Sequence, residues 1–199
     1  MYSKVPSLTI GFHGCDKSIY DQVIHDNHRL IPSENDYDWL GHGIYFWESN
    51  LKRAYEFASE KKSRGEIKEI AVIGAVLDLG YCLDFVNSDY IKLLKVGYKL
   101  LEADSVNAGI ELPKNKLVSD DVSLLRNLDC AVIQRIHQWN DDNDYNSYDS
   151  VRGVFFEGNE IYPTSGFREK NHIQICIRNS NCIKGYFTPL EVDDKFKIP

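Results

Sequence analysis

What this chain has little of narrows it first. No run approaches the roughly 20 apolar residues that a bilayer-spanning helix needs. The opening segment, MYSKVPSLTIGFHG, holds one Lys, a short apolar run and no small-residue cleavage site. It is expected to belong to the fold, with no membrane partner and a cytoplasmic location. No CxxC pair occurs, and the five cysteines (Cys15, Cys82, Cys130, Cys176, Cys182) make an odd count. Neither a disulfide framework nor a zinc site is expected, and the thiols read as reduced and mostly buried. Positive charge is also short, 23 Lys+Arg against 30 Asp+Glu, for a formal charge of −7. That excludes a general nucleic-acid coat, which needs surplus positive charge to displace counterions. A polyanion gripped at one short site remains compatible. Internal repeats, low-complexity tracts and inter-domain linkers are absent.

What is present describes one domain spanning residues 1–199, 43% hydrophobic and 27% charged, long enough to bury a real core. Ser7–His13 reads as a strand, and Asp16–Asp26 as a helix capped by Asp16. Pro32–Leu40 reads as a polar loop, Gly41–Trp47 as a glycine-bracketed strand, and Ser49 as the cap of a helix running toward Lys62. Ile70–Leu79 is apolar on both faces, as a buried strand is. Ser88–Leu101 and Asp120–Trp139 carry helical spacing. Asn140–Ser150 reads as a solvated loop, and three short strands follow at Val151–Phe156, His172–Ile177 and Ile183–Phe187. Strands at both ends with helices between them make the expected class α+β. The charge is uneven: Asp141, Asp142, Asp144 and Asp149 crowd one loop, whereas residues 49–70 and 166–199 each carry six basic and four acidic side chains.

Three short segments carry chemistry: Phe12-His13-Gly14, then Gly41-His42-Gly43-Ile44-Tyr45-Phe46 with Ala54 in the next helix, then His172-Ile173-Gln174-Ile175-Cys176-Ile177. Each alone is ordinary; a His-Gly at a strand end or a Tyr in a strand is usually structural. In this order they resemble the NAD-binding core of the ADP-ribosyltransferases, in the His-Tyr-Glu branch of the poly(ADP-ribose) polymerases and diphtheria toxin. The middle segment matches most specifically, and residues 83–139 match nothing. The stretch GFREKNHIQICIRNSNCIKGYF also resembles bacterial toxin-like ADP-ribosyltransferases of phage defence, some held by an antitoxin.

The resemblance implies a single-domain ADP-ribosyltransferase-like fold, a split antiparallel β core with flanking helices. It implies NAD as co-substrate, no metal, and transfer of one ADP-ribose to a macromolecular acceptor, RNA or another nucleic acid ahead of protein. By the resemblance, His13 binds the adenosine ribose, Gly14 offers its backbone to the nicotinamide amide, and Tyr45 offers a ring face. Gln174 stands where the family places its catalytic Glu. It can form the hydrogen bond but carries no charge, so Glu169 is expected to assist, with Glu157 and Glu160 as further candidates. Arg53 and Glu56 replace the family's small hydroxyl residue and second tyrosine, leaving Tyr55 or Phe57 to supply the second ring. Loss of the Glu leaves an alternative from another class: an inactive NAD- or ADP-ribose-binding interaction module. His25 and His28 lack a third ligand and read as a solvated helix face. His42 and His172 adjoin the proposed site, and Arg168 and Lys170 could meet phosphates.

Overall fold

In the computed structural model, residues 8–119, 122–192 and 194–197 are described. Strand β1 (Thr9–Asp16) runs into helix α1 (Lys17–Ile24). Asp16 ends one and caps the other: its carboxylate accepts from Ser18 N at 3.0 Å and from Lys68 N at 2.6 Å. These backbone hydrogen bonds hold its pKa well below the usual carboxylate range. Strand β2 (Ile44–Glu48) leads into helix α2 (Leu51–Ser63). The cap of α2 is Asn50, one residue beyond the expected Ser49; its side chain accepts from Arg53 N, while Ser49 makes the turn at φ +49°. Strands β3 (Ile70–Leu77) and β4 (Cys82–Asp84) follow, then helix α3 (Ser88–Ala108), closed by Gly109 in the left-handed conformation.

The expected helix over Asp120–Trp139 is two things. A small hairpin, β5 (Lys116–Ser119) with β6 (Val122–Leu125), comes first, and helix α4 (Asn127–Asp142) takes the rest. Asp120 itself lies outside the described residues, as does Ser7 at the expected start of β1. Strands β7 (Ser150–Phe155), β8 (His172–Ile177) and β9 (Ile183–Phe187) complete the chain.

Seven strands form one sheet in the order β4-β7-β8-β2-β1-β3-β9, antiparallel except where β4 meets β7. With four helices against it, the single domain is α+β, as its sequence implies. Two cores lie on opposite faces. One gathers Ile44, Phe46, Ile73, Leu77, Ile175 and Ile177 with Val23 of α1. The other joins Leu83, Val151, Phe155 and Cys176 to Ile133 and Ile136 of α4. Cys15, Cys130, Cys176 and Cys182 are buried, Cys82 is half-buried, and none of the five is in a disulfide. Burial pushes the Cys15 and Cys130 thiols up to about 11, so they are inert packing atoms. Among the described residues no helix is long and apolar enough to cross a membrane.

Candidate functional site

The sheet's joints are unequal. β1 pairs with β3 along all eight of its residues, Thr9↔Leu77 through Asp16↔Ile70, and β2 pairs with β8 at four positions. Between β1 and β2 only Gly11↔Glu48 and Phe12↔Trp47 are paired. Had the ladder continued in that register, Gly14 would face Tyr45. Instead the His13 imidazole stands in the way: its Nδ1 lies 2.8 Å from the Tyr45 carbonyl. A carbonyl only accepts, so Nδ1 carries the hydrogen. Burial holds the His13 pKa below its ordinary value, with the Tyr45 hydrogen bond acting in the opposite direction.

The backbone edge of Gly14 faces this opening. Ser49 N donates to the Ile10 carbonyl at 2.9 Å, so Ile10 aims its backbone groups toward β2. The two-residue period of a strand gives Phe12 and Gly14 the same direction. Gly14 also has a packing reason to be glycine, because a Cβ there would sit 2.1 Å from the Ala54 carbonyl oxygen and 3.2 Å from the Ala58 methyl group. Two of the residues that carry the resemblance, Gly14 and Ala54, therefore let α2 lie directly on β1.

Tyr45 is anchored at its tip. Its hydroxyl donates to the Gly41 carbonyl at 2.5 Å and accepts from Leu40 N at 2.9 Å. Desolvation drives its pKa far up, so the phenol stays neutral. Gly43 (φ +155°) is pressed against β8, where a Cβ would lie 2.5 Å from Cys176 Sγ. The loop ahead of β2 is pinned from α4, Gln134 Nε2 lying 2.9 Å from His42 Nδ1.

Register sets the rest. Tyr45 is opposite Cys176, Trp47 opposite Gln174, Gln174 opposite Gly153, and His172 opposite Phe155. Directly opposed residues share a face, so Tyr45, Trp47, Gln174 and His172 line one surface between α2 and α4. Gln174 is only 9% exposed, yet its amide bonds to no other described residue. Trp47 Nε1, Arg53 Nε and His172 Nε2 are buried beside it without partners. Buried polar atoms are seldom left unpaired; three such atoms around the Gln174 amide mark this surface as one that can bond something else.

Of the expected residues, the fold brings His13, Gly14, Tyr45 and Gln174 onto three adjacent strands. Phe57 lies close by but packs on Trp47, ring centroids 4.8 Å apart, and leaves Tyr45 without a facing ring. Tyr55 is 53% exposed; one residue past Ala54 on α2, it is turned away from the sheet. Glu169 is exposed and tied within its own loop, accepting from Asn159 N at 3.2 Å and Asn159 Nδ2 at 3.3 Å. Glu160 accepts from Thr164 N at 2.9 Å. Neither reaches Gln174.

Glu157 does turn inward. Its Oε2 is 3.0 Å from Arg53 Nη2 and 3.6 Å from His172 Nδ1. Arg53 is 5% exposed and also bonds Glu56 at 3.1 Å. His172 Nδ1 lies 2.7 Å from the Lys170 carbonyl, which places the hydrogen on Nδ1 and a lone pair on the unpartnered Nε2. Burial keeps the His172 pKa below its ordinary value, opposed by the Lys170 and Glu157 contacts. Trp47 was not expected at the site. Its signal was the strand period itself, two residues on from Tyr45 on the same face.

Among the described residues no group of His, Cys, Asp and Glu is arranged to hold a metal. No family model matches this chain, and no solved structure matches it either. An uncharacterised protein of Methanocaldococcus jannaschii is 26% identical over 207 aligned residues, which cover 94% of this chain and 91% of that protein. The likeness runs through the whole domain rather than one motif.

Proposed function

We propose that this chain is an NAD-dependent mono-ADP-ribosyltransferase with an ADP-ribosyltransferase-like fold. The observation that carries the reading is the short β1–β2 joint. Along the opening between β1 and β2 the Gly14 backbone edge faces Tyr45 and His13 bonds the Tyr45 carbonyl, while on the Tyr45 face of neighbouring β8 the nearly buried Gln174 amide bonds to no described residue. In this reading Gly14 N–H and C=O grip the nicotinamide amide, Tyr45 covers the ring, and Gln174 orients the ribose hydroxyls. The split of the sheet is then the dinucleotide cleft. The macromolecular acceptor is RNA or another nucleic acid ahead of protein. The loop after β7 supports this with its exposed Tyr162 and Phe167 beside Arg168, aromatic faces on which bases can stack.

The test is nicotinamide release from NAD in whole-cell extract, with ADP-ribose binding followed by calorimetry. Gln174→Leu is the variant of choice, because its amide bonds to no other described residue. Release should fall about 100-fold while the protein stays folded. Unchanged release would reject the site. Digesting labelled product with nuclease or protease then identifies the acceptor.

The Arg53–Glu157 and Arg53–Glu56 ion pairs favour a second reading. Their shared Arg53, and Glu56, stand at the positions where the resemblance places nicotinamide-binding groups. A module that binds NAD or ADP-ribose without cleavage would show calorimetric binding and no nicotinamide release in any extract.

A further inference from the structure

Gln174 cannot supply negative charge, and the fold offers one carboxylate in its place. Glu157 lies two residues beyond Phe155, the partner of His172 in the ladder. The chain is still paired there, Lys170 N donating to the Glu157 carbonyl at 2.9 Å. The side chain therefore keeps to the face that carries Phe155, His172, Gln174 and Trp47, as its contact with His172 shows. His172 and Gln174 are two residues apart on one strand, about 7 Å. On that same face His172 Nε2 and Trp47 Nε1 are buried without partners among the described residues.

Arg53 fixes this carboxylate. It projects from α2, is 5% exposed, and meets Glu157 on Oε2, the oxygen that also faces His172. Oε1 accepts no hydrogen bond from any described residue. A carboxylate 14% exposed, held through one oxygen with the other uncommitted, is arranged to meet a ligand.

Resting on the transferase reading above, we propose that Glu157 is the catalytic carboxylate of this site and that Arg53 is its positioning residue. Glu157 accepts the proton of the acceptor nucleophile as the nucleophile's lone pair bonds to ribose C1′. The bond from C1′ to the nicotinamide ring nitrogen breaks in the same displacement, and its electron pair leaves on that nitrogen. The proton then passes from Glu157 to water. The ionised carboxylate also offsets the positive charge that develops at C1′, which the Gln174 amide can only hydrogen-bond beside.

The experiment compares wild type with Glu157→Gln in two readouts: ADP-ribose binding by calorimetry, and nicotinamide release. Binding should stay within about threefold while release falls about 100-fold. Glu157→Asp, which keeps a charge beside Arg53, should release at an intermediate rate. If Glu157→Gln fails to fold because Arg53 is left buried and unpaired, the Arg53→Met/Glu157→Gln double variant removes both charges together. It should bind ADP-ribose and lose release to the same extent. Release at the wild-type rate from either folded variant overturns the role of Glu157 and leaves the transferase reading standing. Wild type that neither binds ADP-ribose nor releases nicotinamide overturns the transferase reading, and the role of Glu157 falls with it.

Discussion

β2 has two unlike edges. Toward β8 it is closed by a four-residue ladder in which Ile44, Phe46, Ile175 and Ile177 are all but inaccessible. Toward β1 the ladder ends after two pairs, and beyond them the backbone groups that are bonded are each held by a different device. Ser49 N donates to Ile10, the Tyr45 carbonyl accepts from His13, and Gly43 exchanges two hydrogen bonds with Ser33 at 3.0 and 2.8 Å. One edge is held by repetition and the other by individual side chains. A surface that must admit a ligand has to be of the second kind, because a complete ladder leaves no donor or acceptor to offer.

The largest effect expected from this contrast is at Gly14. In Gly14→Ala the new methyl group meets the backbone of Ala54 at 2.1 Å, and neither Ala54 nor Ala58 has room to retreat. Helix α2 must lift from β1, at a cost of about 3 kcal/mol in urea unfolding. Gly153→Ala makes the matching change on the closed side, opposite Gln174. There the methyl group meets the end of the Leu40 side chain at 3.0 Å and the Phe155 ring at an ordinary 3.6 Å, and about 1 kcal/mol is expected. Equal costs would show that α2 does not depend on the bare backbone at Gly14.

The same contrast decides what the sequence makes legible. The closed edge follows from period and composition: His172–Ile177 and Ile183–Phe187 are read to the residue, and the apolar run from Ile70 identifies β3. The open edge does not, because His13 and Gly14 interrupt the apolar alternation of β1 and acquire meaning only together with Tyr45 and Gln174. Long-range geometry hides more. Three glutamates precede β8, and nothing in their spacing says that Glu157 turns to Arg53, 104 residues away, while Glu169 turns to Asn159. Nor does helical spacing over 120–139 betray a hairpin, since four-residue strands are shorter than the window in which a period can be read.

Acid should act on the closed side. His137, on α4, is 3% exposed against the Tyr148 ring, with neither ring nitrogen bonded. Burial, aided by the Arg178 charge, pulls its pKa down to about 3. The unfolded chain then binds the proton more readily than the folded one. Stability is complete above about pH 6.5 and falls as pH drops toward 3, by up to about 1.4 kcal/mol per unit. His137→Leu should remove that slope between pH 6.5 and 4.5 in paired urea titrations. His13 and His172 are shifted in the same direction and will leave a residual dependence. If the slope survives undiminished in His137→Leu, acid sensitivity originates at the open joint.

The smallest effect, and the one aimed most directly at the joint, is expected for His13→Val. A β-branched residue suits a strand, and its loss of the Tyr45 hydrogen bond is offset once the ladder closes. Stability should move by no more than about 1 kcal/mol. The informative change lies in hydrogen exchange. With the imidazole gone, Gly14 and Tyr45 can pair as the register dictates, and exchange of both amide protons should slow together. ADP-ribose affinity should fall at the same time, because the Gly14 edge is then committed to β2. Slowed exchange with unchanged affinity would separate the opening from the ligand. Lost affinity with unchanged exchange would make His13 a direct ligand contact rather than the wedge that keeps the two strands apart.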